Sequence, residues 1–176
     1  SGARQNNAAY KMMGLNDTVN LPFKYDFSYD DFYPDTTWWT DNFVFVNRDY
    51  PFAPPSIGVA TFDGLNANGY PYNFSASPNS SAVADYLTSK YIRLGSSLSP
   101  ADSLYLSFYY QAGGLRGGIG RCDTPEQLDS LILQFYEPAG GWRNVWGKRG
   151  YSPASGDTGF YRVMVPIKDA SYFTNA

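Results

Sequence analysis

The chain has no histidine, one cysteine (Cys122) and two glutamates (Glu126 and Glu137). Without histidine, the usual general base and commonest zinc ligand are missing, so Ser-His-Asp and Cys-His nucleophilic schemes cannot be assembled. A single cysteine excludes an internal disulfide framework and leaves no redox motif. Its neighbour Arg121 supplies no base, so Cys122 is not expected to act as a nucleophile. Apolar runs are short: Phe43-Val44-Phe45-Val46 falls far below the roughly 20 residues of a membrane helix. No charged-then-apolar signal segment opens the chain. Basic clustering is weak too. The densest stretch holds Arg143, Lys148 and Arg149 in a chain of net charge -3, too little for counterion release from nucleic acid. Five glycines between Gly113 and Gly120 lack the Gly-Lys-Ser/Thr continuation of a phosphate loop and read as a hairpin connection.

What is present is aromatic: 16 Tyr, 12 Phe and 4 Trp in 176 residues, with 17 Gly and 12 Pro. Flat rings pack well across neighbouring strands, and Gly and Pro punctuate turns. With 43% hydrophobic residues the chain has enough apolar surface for one packed domain. Short β-rich runs at 43–46, 89–94, 103–110, 131–136 and 161–167 are separated by Gly, Pro, Asn and Ser clusters, the rhythm of an antiparallel all-β sandwich. Only the stretch 82–87 is expected to form one or two helical turns. Residues 1–20 carry no sustained period and are expected to form an arm or linker, with the sandwich domain over 21–176.

A repeat runs through the second half. Asp102–Gly114 reads DSLYLSFYYQAGG and Asp129–Gly141 reads DSLILQFYEPAGG, identical at nine of thirteen positions. Period-two geometry places Leu104, Leu106 and Phe108 on one face and Ser103, Tyr105, Ser107 and Tyr109 on the other. Leu131, Leu133 and Phe135 repeat the inner face, and the two strands are expected to share one sheet.

The segments 23–47, 54–72, 91–111 and 129–146, above all Ile57-Gly58-Val59-Ala60-Thr61-Phe62-Asp63-Gly64 followed by Gly69-Tyr70-Pro71, resemble jelly-roll modules of large proteins exported by the type IX secretion system of Bacteroidota. Those modules are related in pattern to MAM and concanavalin-like sandwiches. The resemblance covers residues 21–173. It implies a jelly-roll-like fold, a secreted or outer-membrane-surface location and an adhesion-like role without catalysis. That family continues beyond the position of Phe173 into strands with a His-Trp pair, which this chain does not have. The expectation is therefore a fragment, or a sandwich whose missing strand comes from a partner chain. The loop Gly117–Cys122, with Arg116 and Arg121, departs from the family pattern.

Three functional classes are compatible with these features. The leading one is a binding or adhesion module, with Tyr70, Tyr72, Tyr105, Tyr109 and Trp142 as ligand-binding candidates for glycan or protein, because exposed rings offer a platform for sugar rings or a partner. Trp38 and Trp39 also fall near rim loops, although Trp38 and Trp146, beside apolar strands, read as core. The second class is a structural subunit docked in a larger surface or secretion-system complex, through an open sheet edge. The third is a glycoside hydrolase, which an Asp pair could serve although the Glu-x-Asp-x-Glu run of concanavalin-like hydrolases is absent. Asp26, Asp30, Asp31 and Asp63 are hard oxygen donors that suit a structural calcium ion, although scattered Asp of this kind more often serve as solvated loop carboxylates and turn formers. Asn16, Asn73 and Asn79 begin N-glycosylation triplets. For the bacterial family, Asp-Ser/Thr-apolar triplets take O-glycans; Asp17-Thr18-Val19 makes Thr18 the candidate, ahead of the triplets at Asp102 and Asp129.

Overall fold

The computed structural model describes residues 18–66, 68–72, 82–95, 97–114, 125–150 and 159–173. Within them the chain is all-β, with no α-helix. Four strands of three residues come first: β1 (Thr18–Asn20), β2 (Phe45–Asn47), β3 (Val59–Thr61) and β4 (Tyr91–Arg93). Four longer ones come after: β5 (Tyr105–Tyr110), β6 (Ser130–Glu137), β7 (Gly141–Arg149) and β8 (Tyr161–Pro166). They form two-stranded ladders: β1 with β4 in parallel, and β2 with β3, β5 with β8 and β6 with β7 antiparallel.

The repeat folds as its alternation requires. Leu106, Phe108 and Tyr110 point inward on β5, and Leu131, Leu133 and Phe135 on β6, with every intervening side chain exposed. The preceding turns match as well. Asp102 donates its N–H to the Ser99 carbonyl and accepts from the Ser99 N–H at 2.8 Å; Asp129 does the same with Glu126, accepting its N–H at 2.7 Å. Both aspartates thus close a turn by reciprocal bonds to the residue three before. The two strands do not share a ladder, because the residues after each strand send the chain in different directions. After β6, Gly140 donates to the Glu137 carbonyl at 3.1 Å and Gly141 adopts φ 78°, a left-handed conformation open to glycine, so the chain turns directly into β7. After β5, the Gln111 amide takes both backbone groups of Phe52, donating to its carbonyl at 2.9 Å and accepting its N–H at 3.0 Å. Gly114 is buried so closely on Tyr50 that a Cβ there would strike the Tyr50 carbonyl oxygen. The first copy is therefore held by the 50–52 segment, and β5 pairs with β8.

The long ladders meet through their inner faces, where the Trp146 ring of β7 stands 5.2 Å from Phe108 and 5.4 Å from Tyr110 of β5. Against the inner side of β6, Phe135 meets Tyr172 edge-on at 5.4 Å. Tyr172 belongs to a 3₁₀ turn at Ala170–Phe173, which Asp169 caps by accepting the Ser171 N–H.

In the first half, short strands are joined by rings and by side chains bonded to backbone. Trp39 contacts Phe23, Tyr25 and Phe27, stacking on the last at 5.7 Å. Asp35 ends this run in a turn, its carbonyl accepting from Trp38 and Trp39 and its carboxylate from the Thr37 N–H. Residues 38–40 then lie beside 88–90, through Lys90 N–H to the Trp38 carbonyl and Thr40 N–H to the Thr88 carbonyl. Trp38 is half-buried in this cluster and Trp146 in the second half, consistent with packing roles.

Three differences from expectation stand out. β1 lies within the stretch read as an arm, paired to β4. Residues 82–87 are not helical, since Asp85 is engaged with a neighbouring loop and Ser89 bridges Trp39. β7 was not among the expected strands: Gln134 faces Asn144 while Leu133 faces Trp146, leaving Val145 as an extra residue that breaks the period of two. The Gly117–Cys122 loop, Arg116, Asn16 and the Asn73 and Asn79 triplets lie outside the described residues.

Candidate functional site

Each aspartate proposed as an oxygen donor already has a protein partner. Asp26 accepts the Ser28 N–H at 3.2 Å, Asp31 the Phe32 N–H at 2.6 Å and Asp63 the Leu65 N–H at 2.9 Å, while Asp30 pairs with Arg48 at 3.2 Å. Bonding by Ser28 holds the Asp26 carboxyl below its ordinary value. Thr18 sits in β1, its hydroxyl accepting from the Arg93 guanidinium at 3.1 Å.

Tyr70 and Tyr72 lie on the loop after β3. Asn66 organises it, its side chain accepting the Tyr70 N–H and its backbone exchanging bonds with Gly69 and Tyr70. Gly69, at φ 75°, makes the turn. Asp85 closes the loop from outside, accepting the Gly64 N–H at 2.8 Å and the Tyr72 hydroxyl at 2.9 Å. Burial pushes both the Asp85 carboxyl and the Tyr72 phenol up, with Asp63 adding repulsion. Asp85 thus has both oxygens committed to holding the loop, whose Phe62, Tyr70 and Tyr72 are exposed.

Tyr105 and Tyr109 are exposed on the outer face of β5, opposite Pro166 and Arg162 of β8. Trp142 is exposed on the outer face of β7, opposite Tyr136. Because the two ladders meet through Phe108, Tyr110 and Trp146, these outer faces point away from one another. The five candidate rings are therefore in three places: the 62–72 loop, the β5–β8 face and the β6–β7 face.

The β6–β7 face is the most organised of the three. Cross-strand pairs set Ile132 opposite Gly147, Gln134 opposite Asn144 and Tyr136 opposite Trp142. The Tyr136 and Trp142 rings stand 5.3 Å apart at 65°, and Tyr91 of β4 meets Tyr136 at 6.1 Å and 64°. All three rings are exposed. Beside them the Gln134 amide donates to Asn144 Oδ1 at 2.8 Å, which leaves further donors and acceptors of the pair facing water. Gly147 keeps the surface flat next to Ile132.

Behind this face the hairpin is pinned by Glu137, buried on the inner side and ion-paired with Arg143. A Cβ at Gly140 would press on both partners, so glycine here leaves room for the pair under the turn. The exposed ring pair is thereby carried on a short, braced hairpin.

Sequence reasoning named Trp142 but not Tyr91, Gln134, Tyr136 or Asn144. The inner face assigned to the second repeat copy, Leu131, Leu133 and Phe135, leaves Ile132, Gln134 and Tyr136 to the outer face, so half of the site could have been found from that alternation. Tyr91, from a distant strand, was not. Among the described residues no helix is long and apolar enough to cross a membrane. No family model, no curated protein and no solved structure matches the chain.

Proposed function

We propose that this protein is a non-catalytic glycan-binding module on a jelly-roll-like sandwich, belonging to a secreted or cell-surface bacterial protein. The observation that carries the reading is the outer face of β6–β7, where Tyr136 meets both Tyr91 and Trp142, all three rings exposed, beside an exposed amide pair. Rings cover the apolar faces of pyranoses, and side-chain amides exchange hydrogen bonds with their hydroxyls; a few placed polar groups beside apolar surface are what orient a small ligand. Isothermal titration against a panel of soluble polysaccharides tests it. Trp142→Ala and Tyr136→Ala should each weaken binding at least tenfold, an effect of about 1.4 kcal/mol or more, while circular dichroism stays unchanged. Absence of binding to any member, or binding indifferent to both substitutions, contradicts the reading.

A second reading, a structural subunit docked in a larger surface complex, is favoured by the burial pattern. Among the described residues Val19, Val44 and Val165 are, prolines aside, the only buried hydrophobic side chains, whereas rings such as Phe32 and Tyr70 remain exposed at 76% and 57%. Extended apolar exposure of this kind marks interaction surfaces. A monomeric mass in solution, with cooperative unfolding, would overturn obligate docking.

A further inference from the structure

The charge on the β6–β7 face narrows the ligand class, an inference that rests on the glycan reading above. Along β6 the outward positions run Ser130, Ile132, Gln134, Tyr136, a span of about 20 Å at roughly 3.3 Å per residue. Opposite them stand Arg149, Gly147, Asn144 and Trp142. Tyr91 extends the ring cluster onto β4, where Arg93 comes two residues later in the same strand phase and is also exposed. None of these side chains is acidic, and arginines stand at Arg149 and Arg93, although the whole chain carries a net charge of -3. The Arg93 guanidinium is held by the Thr18 hydroxyl at 3.1 Å, whereas Arg149 lies exposed at the open end of the hairpin, opposite Ser130.

We infer that the face takes an acidic glycan chain, its sugar rings on Tyr136 and Trp142 and a carboxylate or sulfate group reaching Arg149. Arginine suits such anions because its planar fork matches their paired oxygens. The rings also bear on the form of the ligand. At 64° and 65° to their neighbours they cannot present one coplanar surface, so a separate, twisted chain fits where a flat crystalline polymer does not. Nucleic acid is the less favoured anion, since two arginines give a small counterion term and the amide pair matches sugar hydroxyls.

The test compares polygalacturonate with its fully methyl-esterified form by affinity electrophoresis and titration calorimetry, using the full chain and Arg149→Gln. The expected result is tighter binding of the acidic polymer, weakened by added salt, with Arg149→Gln reducing that affinity by up to about fivefold, the range of an exposed ion pair, and leaving the neutral polymer unaffected. Equal binding of both polymers, or an acidic preference untouched by Arg149→Gln, overturns the inference while leaving the glycan reading in place. Failure of both polymers, together with failure of the whole polysaccharide panel above, removes the two together. Tighter binding of single-stranded DNA than of polygalacturonate would assign the face to nucleic acid and overturn it as well.

Discussion

The two halves of the molecule are held together in different ways. Among the described residues up to Arg93 no strand exceeds three residues, and cohesion comes from rings around Trp39 and from aspartates bonding nearby amides. From Tyr105 onward strands run six to nine residues, and backbone ladders carry the structure. The first half fixes loops through side chains and so can position Tyr70 and Tyr72 only as firmly as those side chains hold. In the second half, register fixes the outer face: once the bulge at Val145 has set Gln134 opposite Asn144, Tyr136 must stand opposite Trp142. A binding platform gains from the second kind of support, because rings on paired strands lose little freedom when a ligand arrives.

Removing the ring that anchors each half should have the largest effects. Trp39→Ala and Trp146→Ala are each expected to cost about 3 kcal/mol, the lower end for large aromatics because both are only half-buried. Denaturant unfolding measures the loss. Hydrogen exchange separates the halves: Trp39→Ala should accelerate exchange in β1–β4 while β6 and β7 stay protected, as expected if the long ladders form the more stable unit.

Next in size is Asp41, in the ring-held half. Both carboxylate oxygens are buried and Thr88 is their nearest donor, too poorly aligned to make a full hydrogen bond; burial pushes the carboxyl up to about 6, and the weak bonding from Thr88 offsets only part of that. With the folded value above the unfolded one, the folded state binds the proton more tightly. The contribution of Asp41 to stability is therefore greatest below about pH 4, falls as pH rises to about 6 and is level above that. Asp41→Asn should raise stability at pH 7 by about 1–2 kcal/mol, reduced from the full linkage value for partial exposure. The gain should vanish at about pH 3.5, where the carboxyl is protonated in both states. A pH-independent difference between the two proteins would contradict it.

Smaller effects are expected at the loops. Tyr72→Phe removes one bond to Asp85 and should cost about 1 kcal/mol, with faster exchange at the Gly64 amide and none at β7. Ala53 adopts φ 49°, a conformation glycine tolerates better, so Ala53→Gly should stabilise by a few tenths to about 1 kcal/mol in thermal unfolding.

Local rules made much of the second half legible. Alternation gave the inner and outer sides of β5 and β6 because period two is a property of the strand itself. Asp102 and Asp129 were readable as turn formers because their bonds span three residues. Partner choice was not readable: β5 and β6 share nine of thirteen letters, and what separates them is Gln111 reaching back to Phe52 in one copy and Pro138, which carries no such amide, at the matching position of the other. β7 escaped because its bulge at Val145 breaks the alternation. The absence of helix at 82–87 depends on Asp85 meeting Gly64 and Tyr72, contacts that no local window contains. For the same reason Tyr70, Tyr105 and Trp142, all aromatic and all exposed, could be grouped together from sequence but not assigned to separate faces.

The most direct test of the account is an NMR titration of the protein with a soluble polysaccharide that it binds. The expected outcome is chemical-shift change concentrated at Tyr91, Ile132, Gln134, Tyr136, Trp142 and Asn144, abolished by Trp142→Ala and retained in Tyr105→Ala and Tyr72→Ala. Shifts centred on the β5–β8 face or the 62–72 loop, surviving Trp142→Ala, would contradict the assignment of binding to the β6–β7 face.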